Sequence, residues 1–196
     1  MSYSIDSISD NCYEGTTCLI NKLNIRDEEK LNFVESQITI HKTAELLNTQ
    51  SFGDFDFSHY KAIHKYLFNE LYDWAGEIRT VNMSKKGTSF VDVSEIEAVA
   101  SACFKRLRDE NYLKNQTFDD FVEDIVDFYC TTNILHPFRE GNGRTQRIFI
   151  SQLIQLNGYS IDFDRIDTDE LMMATIQAAN GINDNLKSIF KNAITN

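Results

Sequence analysis

Residues 134–150 read ILHPFREGNGRTQRIFI, and this stretch joins two segments with helical spacing. Pro137 ends the first helix, because a proline disfavours helical backbone in the residue before it. The two glycines at 141–143 permit positive φ angles and close approach of the backbone to a ligand. A new helix is predicted to begin at about Gly143 or Arg144, with its N–H groups and the positive end of its dipole towards the loop. The arrangement predicts an anion site suited to phosphate.

The charged side chains of the same stretch suggest what the anion is. Arg144 and Arg147 lie three residues apart, so both guanidinium groups can contact phosphate oxygens from one helix face. Glu140 offers the kind of hard oxygen ligand that Mg²⁺ prefers beside a polyphosphate. His136 has an ordinary pKa of about 6.5, which suits a general base near neutrality. Each feature alone is usually structural, but together they predict a site for a magnesium nucleotide.

Composition limits the fold and the partners. A chain of 196 residues without low-complexity tracts or linkers is predicted to form a single domain, 1–196. Its formal net charge of −11 opposes nucleic acid and anionic membranes as general partners. The four cysteines show no spacing typical of zinc sites. Without a signal peptide or a long apolar run the chain is predicted to be cytoplasmic, although delivery into a host cell would leave no mark here.

Hydrophobic periodicity outside the motif predicts an all-α fold. The alternation between Glu77 and Val93 (IRTVNM, then SFVDV after the turn SKKGT) is typical of a β-hairpin. The expected architecture is six to eight helices with this one hairpin. The predicted helices run from Asp27 to Leu47, Ser58 to Gly76, Ser94 to Leu107, Thr117 to Leu135, Gly143 to Leu156, and from Thr168 into the C-terminal region.

The segment HPFREGNGRTQR, 136–147, resembles the Fic family signature HxFx(D/E)GNGRxxR at every specified position. The resemblance extends to residues 61–90, which look like the helix and the "flap" hairpin that precede this motif in Fic proteins. It also includes IQAAN, 176–180, which is similar to an adenine-side segment. It covers about residues 22–190 and implies the Fic fold, a helical bundle whose flap is the hairpin at about 77–93.

The resemblance also implies roles for individual residues. His136 would be the base that activates a target hydroxyl, and Glu140 would position Mg²⁺. Gly141, Asn142 and Gly143 would line the anion hole. The phosphates of ATP would be held by Arg144 and Arg147, and the adenosine would lie near Met172 and Asn180. A target segment would add as a strand along the flap residues Thr80, Val81, Asn82, Met83, Ser84, Lys85 and Lys86.

The reaction implied by the family is transfer of AMP from ATP to a Ser, Thr or Tyr hydroxyl of a target protein. Two alternatives remain at this point. The first is phosphoryl transfer or transfer of another nucleotide on the same fold. The second is a non-enzymatic interaction module that retains the motif as scaffold, which the joint presence of base, carboxylate and both arginines disfavours.

Regulation in the family uses a helix carrying [S/T]xxxE[G/N], whose glutamate pairs with the second arginine of the motif. This sequence does not contain that pattern. The chain therefore resembles toxin members that are inhibited by a separate small antitoxin, which would place its glutamate against Arg147. For such toxins the family implies gyrase and topoisomerase IV as targets, whereas other relatives modify host GTPases.

Overall fold

The structure is a computed structural model that describes residues 4–5, 11–48, 53–85 and 87–196. Within these residues the predicted all-α architecture is confirmed by seven α-helices: α1 Glu28–Asn48, α2 Phe57–Phe68, α3 Ile96–Asp109, α4 Phe118–Leu135, α5 Asn142–Leu156, α6 Thr168–Ala179 and α7 Asp184–Ala193. The strands are short, and they are β1 Ser4–Ile5, β2 Met83–Lys85, β3 Thr88–Ser89, β4 Ser160–Ile161 and β5 Ile194–Thr195. No helix in the described ranges has the length and apolar character that a bilayer crossing needs.

Side-chain caps explain why several helices begin where the sequence predicts. The Asp27 carboxylate accepts a hydrogen bond from the Lys30 amide at 2.7 Å, and α1 begins one residue after Asp27. Thr117 caps α4 by accepting from the Asp120 amide at 3.3 Å. Both caps satisfy amides that have no acceptor within the first helical turn. The predicted starts of α1 and α4 are therefore confirmed.

Helix α2 differs from its prediction at both ends. Its N-cap is Asp56, which accepts from the His59 amide at 2.7 Å, and Ser58 lies inside the helix. The helix ends at Phe68, well before Gly76. The predicted span from Ser58 to Gly76 is therefore wrong.

Tertiary contacts account for the early end of α2. The Lys42 ammonium group donates to the Tyr66 carbonyl at 2.9 Å and to the Asn69 side chain at 2.8 Å. The first contact satisfies the Tyr66 carbonyl, which in a continuing helix would accept from an amide four residues later. Leu71 and Tyr72 are still buried, in the turns that follow. Their helical spacing therefore reflects burial and does not show that these residues form a helix.

The flap hairpin is shorter than the predicted 77–93. Only β2 and β3 form a ladder, and beyond it the arms also bond to the end of α4 and the motif, because the Arg79 amide donates to the Pro137 carbonyl at 2.9 Å and the Val91 amide donates to the Ile134 carbonyl at 3.0 Å. Strand β1 was not predicted, and it pairs antiparallel with β2. The sheet order is β1-β2-β3, so the chain's own first strand lies along the free edge of the hairpin.

The core is organised around α5, which contacts α1, α2 and α4. Phe149 of α5 is fully buried. Its ring centroid lies 5.4–5.5 Å from the rings of Phe55, His59, Tyr60, Phe104 and Phe128. Rings at this spacing combine a large apolar burial with favourable edge and offset contacts. The aromatic core therefore fixes α5, whose N-terminal end belongs to the motif.

Candidate active site

The motif loop is held in a fixed shape between α4 and α5. His136 closes α4 in the left-handed conformation, with φ 40° and ψ 57°. The Asn142 side chain accepts from the Phe138 amide at 2.9 Å and donates to the Phe138 carbonyl at 2.7 Å. Phe138 is fully buried and stacks on the His64 ring with a centroid distance of 3.8 Å. Because the Asn142 side chain bonds to the loop, only its backbone N–H can contribute to the predicted anion site.

His136 is buried and neutral. Its ring stacks on Phe90 at 3.7 Å between centroids, and its Nδ1 lies 3.3 Å from the Asn133 carbonyl oxygen. A carbonyl only accepts, so Nδ1 carries the proton and Nε2 has the lone pair of a base. Burial lowers the pKa of His136 to about 3, and the charges of Lys85 and Arg79 act in the same direction. The imidazole therefore keeps its basic form throughout the physiological pH range.

The start of α5 presents backbone amides beside His136. The first helical hydrogen bond runs from the Thr145 amide to the Gly141 carbonyl at 3.1 Å, so the amides of 142–144 have no acceptor within the helix. Gly141 has φ +79°, and a Cβ placed on it would lie 2.3 Å from the Phe68 ring. No other residue fits at this position without moving Phe68. The glycine allows the loop to pass close to α2 and to leave the amides facing outward as an anion site.

Arg144 is fixed by four contacts, three from α1 and α2 and one from the motif itself. Its guanidinium group donates to Glu35 at 2.5 Å and to the Thr39 hydroxyl at 3.3 Å. It lies 4.8 Å from the centre of the Phe68 ring, and 3.5 Å from a Glu140 carboxylate oxygen. A guanidinium held in this way keeps donors in a fixed fork for an incoming anion.

Arg147 is held differently. Among the residues that the structure describes, no carboxylate lies within ion-pair distance of its guanidinium group. Its Nη1 would lie 3.3 Å from a Cβ added to Gly143, so the side chain runs back along the first turn of α5. Burial lowers the pKa of Arg147, which stays a cation at every relevant pH. Its charge is available to a phosphate.

A cavity of about 280 Å³ opens in front of His136, Arg147 and the start of α5, whereas Arg144 and Glu140 are not among its lining residues. The flap, α4, the motif and α6 form its walls. The lining residues are Lys85, Thr88, Phe90, Tyr129, Thr132, Asn133, His136, Asn142, Gly143, Gln146, Arg147, Thr168, Leu171, Met172, Thr175, Ile176 and Ala179. A concave, largely apolar wall with polar groups converging at one end is typical of a nucleotide or cofactor site.

The two residues predicted near the adenosine are placed differently. Met172 lines the cavity from α6. Asn180 follows the last turn of α6, is exposed, and donates to the Ile176 carbonyl at 2.8 Å. The structure brings Met172 to the site and leaves Asn180 at its margin, one residue beyond the lining residue Ala179.

The predicted docking residues of the flap divide by exposure and pairing. Val81 and Met83 are buried, and Thr80 is exposed. Asn82 uses its side chain to bond Asp92 at 2.9 Å. Ser84 and Lys85 belong to β2, and Lys86 lies outside the described residues. In the described strands Ile5 stands opposite Met83 and Ser4 opposite Ser84, so this part of the predicted docking edge is paired within the chain.

Two residues that the sequence did not single out support the motif from below. Arg79 is buried and donates to the carbonyls of His136 at 2.9 Å, Val81 at 2.7 Å and Val91. His64 is buried, accepts from the Gly76 amide at 2.8 Å through Nδ1, and can donate to the Glu140 carbonyl at 3.0 Å through Nε2. No feature of an alternating or helical stretch distinguishes a buried arginine or histidine from an exposed one.

Glu140 fits the requirements of a magnesium ligand next to a nucleotide. Its Oε1 accepts from the Gly141 amide at 2.8 Å, and the side chain is 29% exposed. The described residues contain no group of three or more His, Cys, Asp or Glu side chains that would hold a metal alone. One carboxylate combined with phosphate oxygens and waters is how proteins commonly bind Mg²⁺.

Comparison with known proteins agrees with this geometry. The Fic/DOC family profile matches residues 54–154. The chain is 37% identical over 180 residues to protein adenylyltransferase VbhT of Bartonella schoenbuchensis, an alignment that covers 92% of this chain and 38% of VbhT. It is 33% identical to the probable protein adenylyltransferase y4lH of Sinorhizobium fredii, covering 87% of this chain and 88% of y4lH. The crystal structure of the effector BepC from Bartonella tribocorum with bound AMPPNP superposes with a TM-score of 0.88 at 28% identity, over 94% of this chain and 95% of that one.

The chain thus spans well under half of VbhT and most of y4lH. An N-terminal Fic domain from Bartonella quintana with bound ADP superposes with a TM-score of 0.89 at 28% identity, over 94% of each chain. The expected fold and the expected class of enzyme are both confirmed, because this similar structure is a Fic domain and the similar sequences are named adenylyltransferases. With the profile covering the motif, α2 and most of α5, and with relatives aligned along nearly the whole chain, this protein belongs to the Fic/DOC family.

Proposed function

We propose that this chain transfers the AMP moiety of ATP to a Ser, Thr or Tyr hydroxyl of a target protein. The observation that carries the proposal is the neutral His136, placed in the same cavity as Arg147 and the amide end of α5. A base and an anion site that share one cavity suit a nucleophile attacking a phosphate. The names of VbhT and y4lH and the AMPPNP bound to BepC support the same activity.

In this reaction the hydroxyl oxygen of the target attacks the α-phosphorus. A bond forms from that oxygen to phosphorus, and the bond from phosphorus to the oxygen bridging the β-phosphate breaks, so pyrophosphate leaves. Nε2 of His136 takes the hydroxyl proton. The amides of 142–144 stabilise the charge on the phosphate oxygens, and Arg144 and Arg147 hold the phosphates that leave. Transfer needs no covalent intermediate on the protein.

Magnesium would be held by Glu140 together with the phosphates. When bound, it neutralises charge on the phosphate oxygens and favours departure of pyrophosphate. The chain itself orients the Glu140 carboxylate, because the Gly141 amide donates a hydrogen bond to Glu140 Oε1 at 2.8 Å.

The proposed partner that regulates the chain is a small antitoxin. A groove of about 540 Å³ runs between α1 and α5, and both Arg144 and Arg147 line it. On its α1 side Ile40 is 64% exposed and Leu47 also lines the groove. Asp162 and Asp164 also line the groove. An amphipathic helix carrying [S/T]xxxE[G/N] would place its apolar face on the α1 side and its glutamate against Arg147. A synthetic helix with that motif should bind tightly, and the same peptide with Gln for Glu should bind at least tenfold more weakly. Equal binding would argue against the antitoxin.

Target identity is proposed by family likeness. Type II topoisomerase subunits, gyrase and topoisomerase IV, are the proposed targets if the chain is a bacterial toxin, and a host GTPase is the proposed target if it is delivered into another cell. In either case the target is proposed to dock on the flap and place its hydroxyl near His136.

The test uses purified wild type and His136→Ala with Mg²⁺ and ATP labelled at the α-phosphate in a bacterial lysate. We expect a labelled protein that gains the mass of AMP with wild type and no label with His136→Ala. Label from the γ-phosphate in place of the α-phosphate would replace AMP transfer by phosphoryl transfer. No transfer from either label, together with no nucleotide binding, would favour a non-enzymatic interaction module.

A further inference from the structure

Glu35, in the middle of α1, is a buried carboxylate that contacts the motif from 109 positions earlier in the sequence. The residue is 5% exposed. Its Oε1 lies 2.5 Å from Nη2 of Arg144. A buried carboxylate is retained in proteins when it is paired and hydrogen-bonded, because burial alone strongly disfavours its charge. The contact with Arg144 therefore compensates the buried charge of Glu35, and separating the two groups would leave that charge unpaired.

The second oxygen of Glu35 is fixed as well. Oε2 accepts a hydrogen bond from the Tyr72 hydroxyl, and Tyr72 is 1% exposed and stacks on Trp74 at 4.3 Å between ring centroids. Burial raises the pKa of Tyr72, and the neighbouring charge of Glu35 raises it further, so the phenol remains a donor. With both oxygens engaged, the carboxylate has one orientation, and it imposes that orientation on Arg144.

Arg144 has a competing partner at close range. Nη2 of Arg144 lies 3.5 Å from Glu140 Oε1, across one turn of chain. The Glu35 contact is one ångström shorter. A small rotation of Arg144 would move the guanidinium group from Glu35 onto Glu140. Glu140 would then pair with Arg144 instead of with a metal ion, and the Arg144 guanidinium group would turn away from the phosphates.

We infer that Glu35 is a positioning residue for the nucleotide site, which holds Arg144 towards the phosphates and limits its contact with Glu140 to the longer of the two ion pairs. The inference rests on the proposed function in so far as it takes the anion of this site to be a nucleotide. Glu35 is buried and lines neither the cavity in front of His136 nor the groove between α1 and α5, so it would act on a bound nucleotide through Arg144. Thr39, which accepts from Nη1 of Arg144 at 3.3 Å, supports the same orientation from one turn further along α1.

The test is a double-mutant cycle read by nucleotide binding. Affinity for Mg²⁺·AMPPNP is measured by calorimetry for wild type, Glu35→Gln, Arg144→Ala and the double variant. Glu35→Gln should weaken binding about tenfold, equivalent to about 1.4 kcal/mol. In the Arg144→Ala background the same change should alter affinity less than about twofold, because its effect passes through Arg144. The matched control is Glu45→Gln, which also alters a glutamate of α1 that accepts from a tyrosine hydroxyl, Tyr66 at 2.6 Å, and should leave affinity unchanged.

Tyr72→Phe keeps the carboxylate and covers the case in which Glu35→Gln does not fold. It should weaken binding roughly threefold, about half the free-energy change of the glutamine variant, and only when Arg144 is present. Unchanged or tighter binding in both variants would overturn the inference, as would the same loss in the Arg144→Ala background. A wild-type chain that binds Mg²⁺·AMPPNP normally but transfers no AMP would instead refute the proposed function and leave the role of Glu35 intact.

Discussion

Replacing Gly141 by alanine tests the claim that the motif glycine is required by packing as well as by backbone conformation. The position has φ +79°, where an L side chain costs about 1 kcal/mol. An added Cβ would also lie 2.3 Å from two ring carbons of Phe68, which is fully buried. Pushing a buried ring aside in a close-packed core costs about 1–3 kcal/mol more. We therefore expect Gly141→Ala to reduce the free energy of unfolding by about 2–4 kcal/mol.

Gly158→Ala is the matched control for the backbone part. Gly158 has φ +83°, and a Cβ placed there would meet no atom within 4 Å. It should cost about 1 kcal/mol, the conformational part alone. Urea denaturation followed by circular dichroism gives both values, and their difference isolates the clash with Phe68.

A second substitution identifies the clashing atom. Phe68→Leu shortens the side chain that the new Cβ would meet, and it is destabilising by itself. The double variant Gly141→Ala/Phe68→Leu should nevertheless be at least about 1 kcal/mol more stable than the sum of the two single effects predicts. The ring of Phe68 also lies 4.8 Å from the Arg144 guanidinium group, so Gly141→Ala should weaken nucleotide binding as well. Equal destabilisation by Gly141→Ala and Gly158→Ala, or simple additivity with Phe68→Leu, would refute the packing argument.

Three further outcomes follow from the site. Burial lowers the pKa values of His64 and His136 to about 4 and about 3, against about 6.5 in the unfolded chain. The unfolded state therefore binds more protons below pH 6.5, and the free energy of unfolding should fall by up to about 1.4 kcal/mol per histidine per pH unit between pH 6.5 and 4. The slope should be smaller in His64→Gln. Arg79→Lys removes the planar guanidinium group that joins His136 to both arms of the flap. AMP transfer should therefore slow roughly tenfold or more, while nucleotide affinity stays nearly unchanged. Equal losses of transfer and of affinity would contradict a role for Arg79 in placing the base. Glu140→Ala should make transfer less responsive to added Mg²⁺, and an unchanged magnesium titration would remove Glu140 from the metal site.

The sequence was most informative where a local rule decides the structure. Helices were predicted to start at Asp27 and Thr117, and in the structure both side chains satisfy amides three residues away. The motif was visible for the same reason, because its proline, glycines and charges act within twelve residues. Local chemistry of this kind needs no knowledge of the tertiary fold.

What the sequence could not supply depends on contacts between distant segments. The end of α2 at Phe68 follows from Lys42 of α1, which reaches the carbonyl of Tyr66, and the spacing of Leu71 and Tyr72 cannot show that. The clamp of Arg79 on the motif spans 57 positions. In both cases a polar side chain satisfies backbone groups that local rules assign to a helix or a strand ladder. The role of such a residue becomes visible once the segments are brought together.

The strand β1 gives the flap a neighbour from the same chain. A peptide segment tied to the same chain is present at an effective concentration on the order of millimolar, whereas a separate protein in a cell is usually far more dilute. A target that offered the flap only backbone hydrogen bonds would therefore be outcompeted at Met83 and Ser84 by residues 4–5. A productive target must either bind the catalytic cavity and its surroundings strongly enough to displace this strand, or dock where β1 does not reach. The enzyme would therefore select folded protein surfaces over unfolded peptides, because an extended segment alone makes no further contacts that could displace β1.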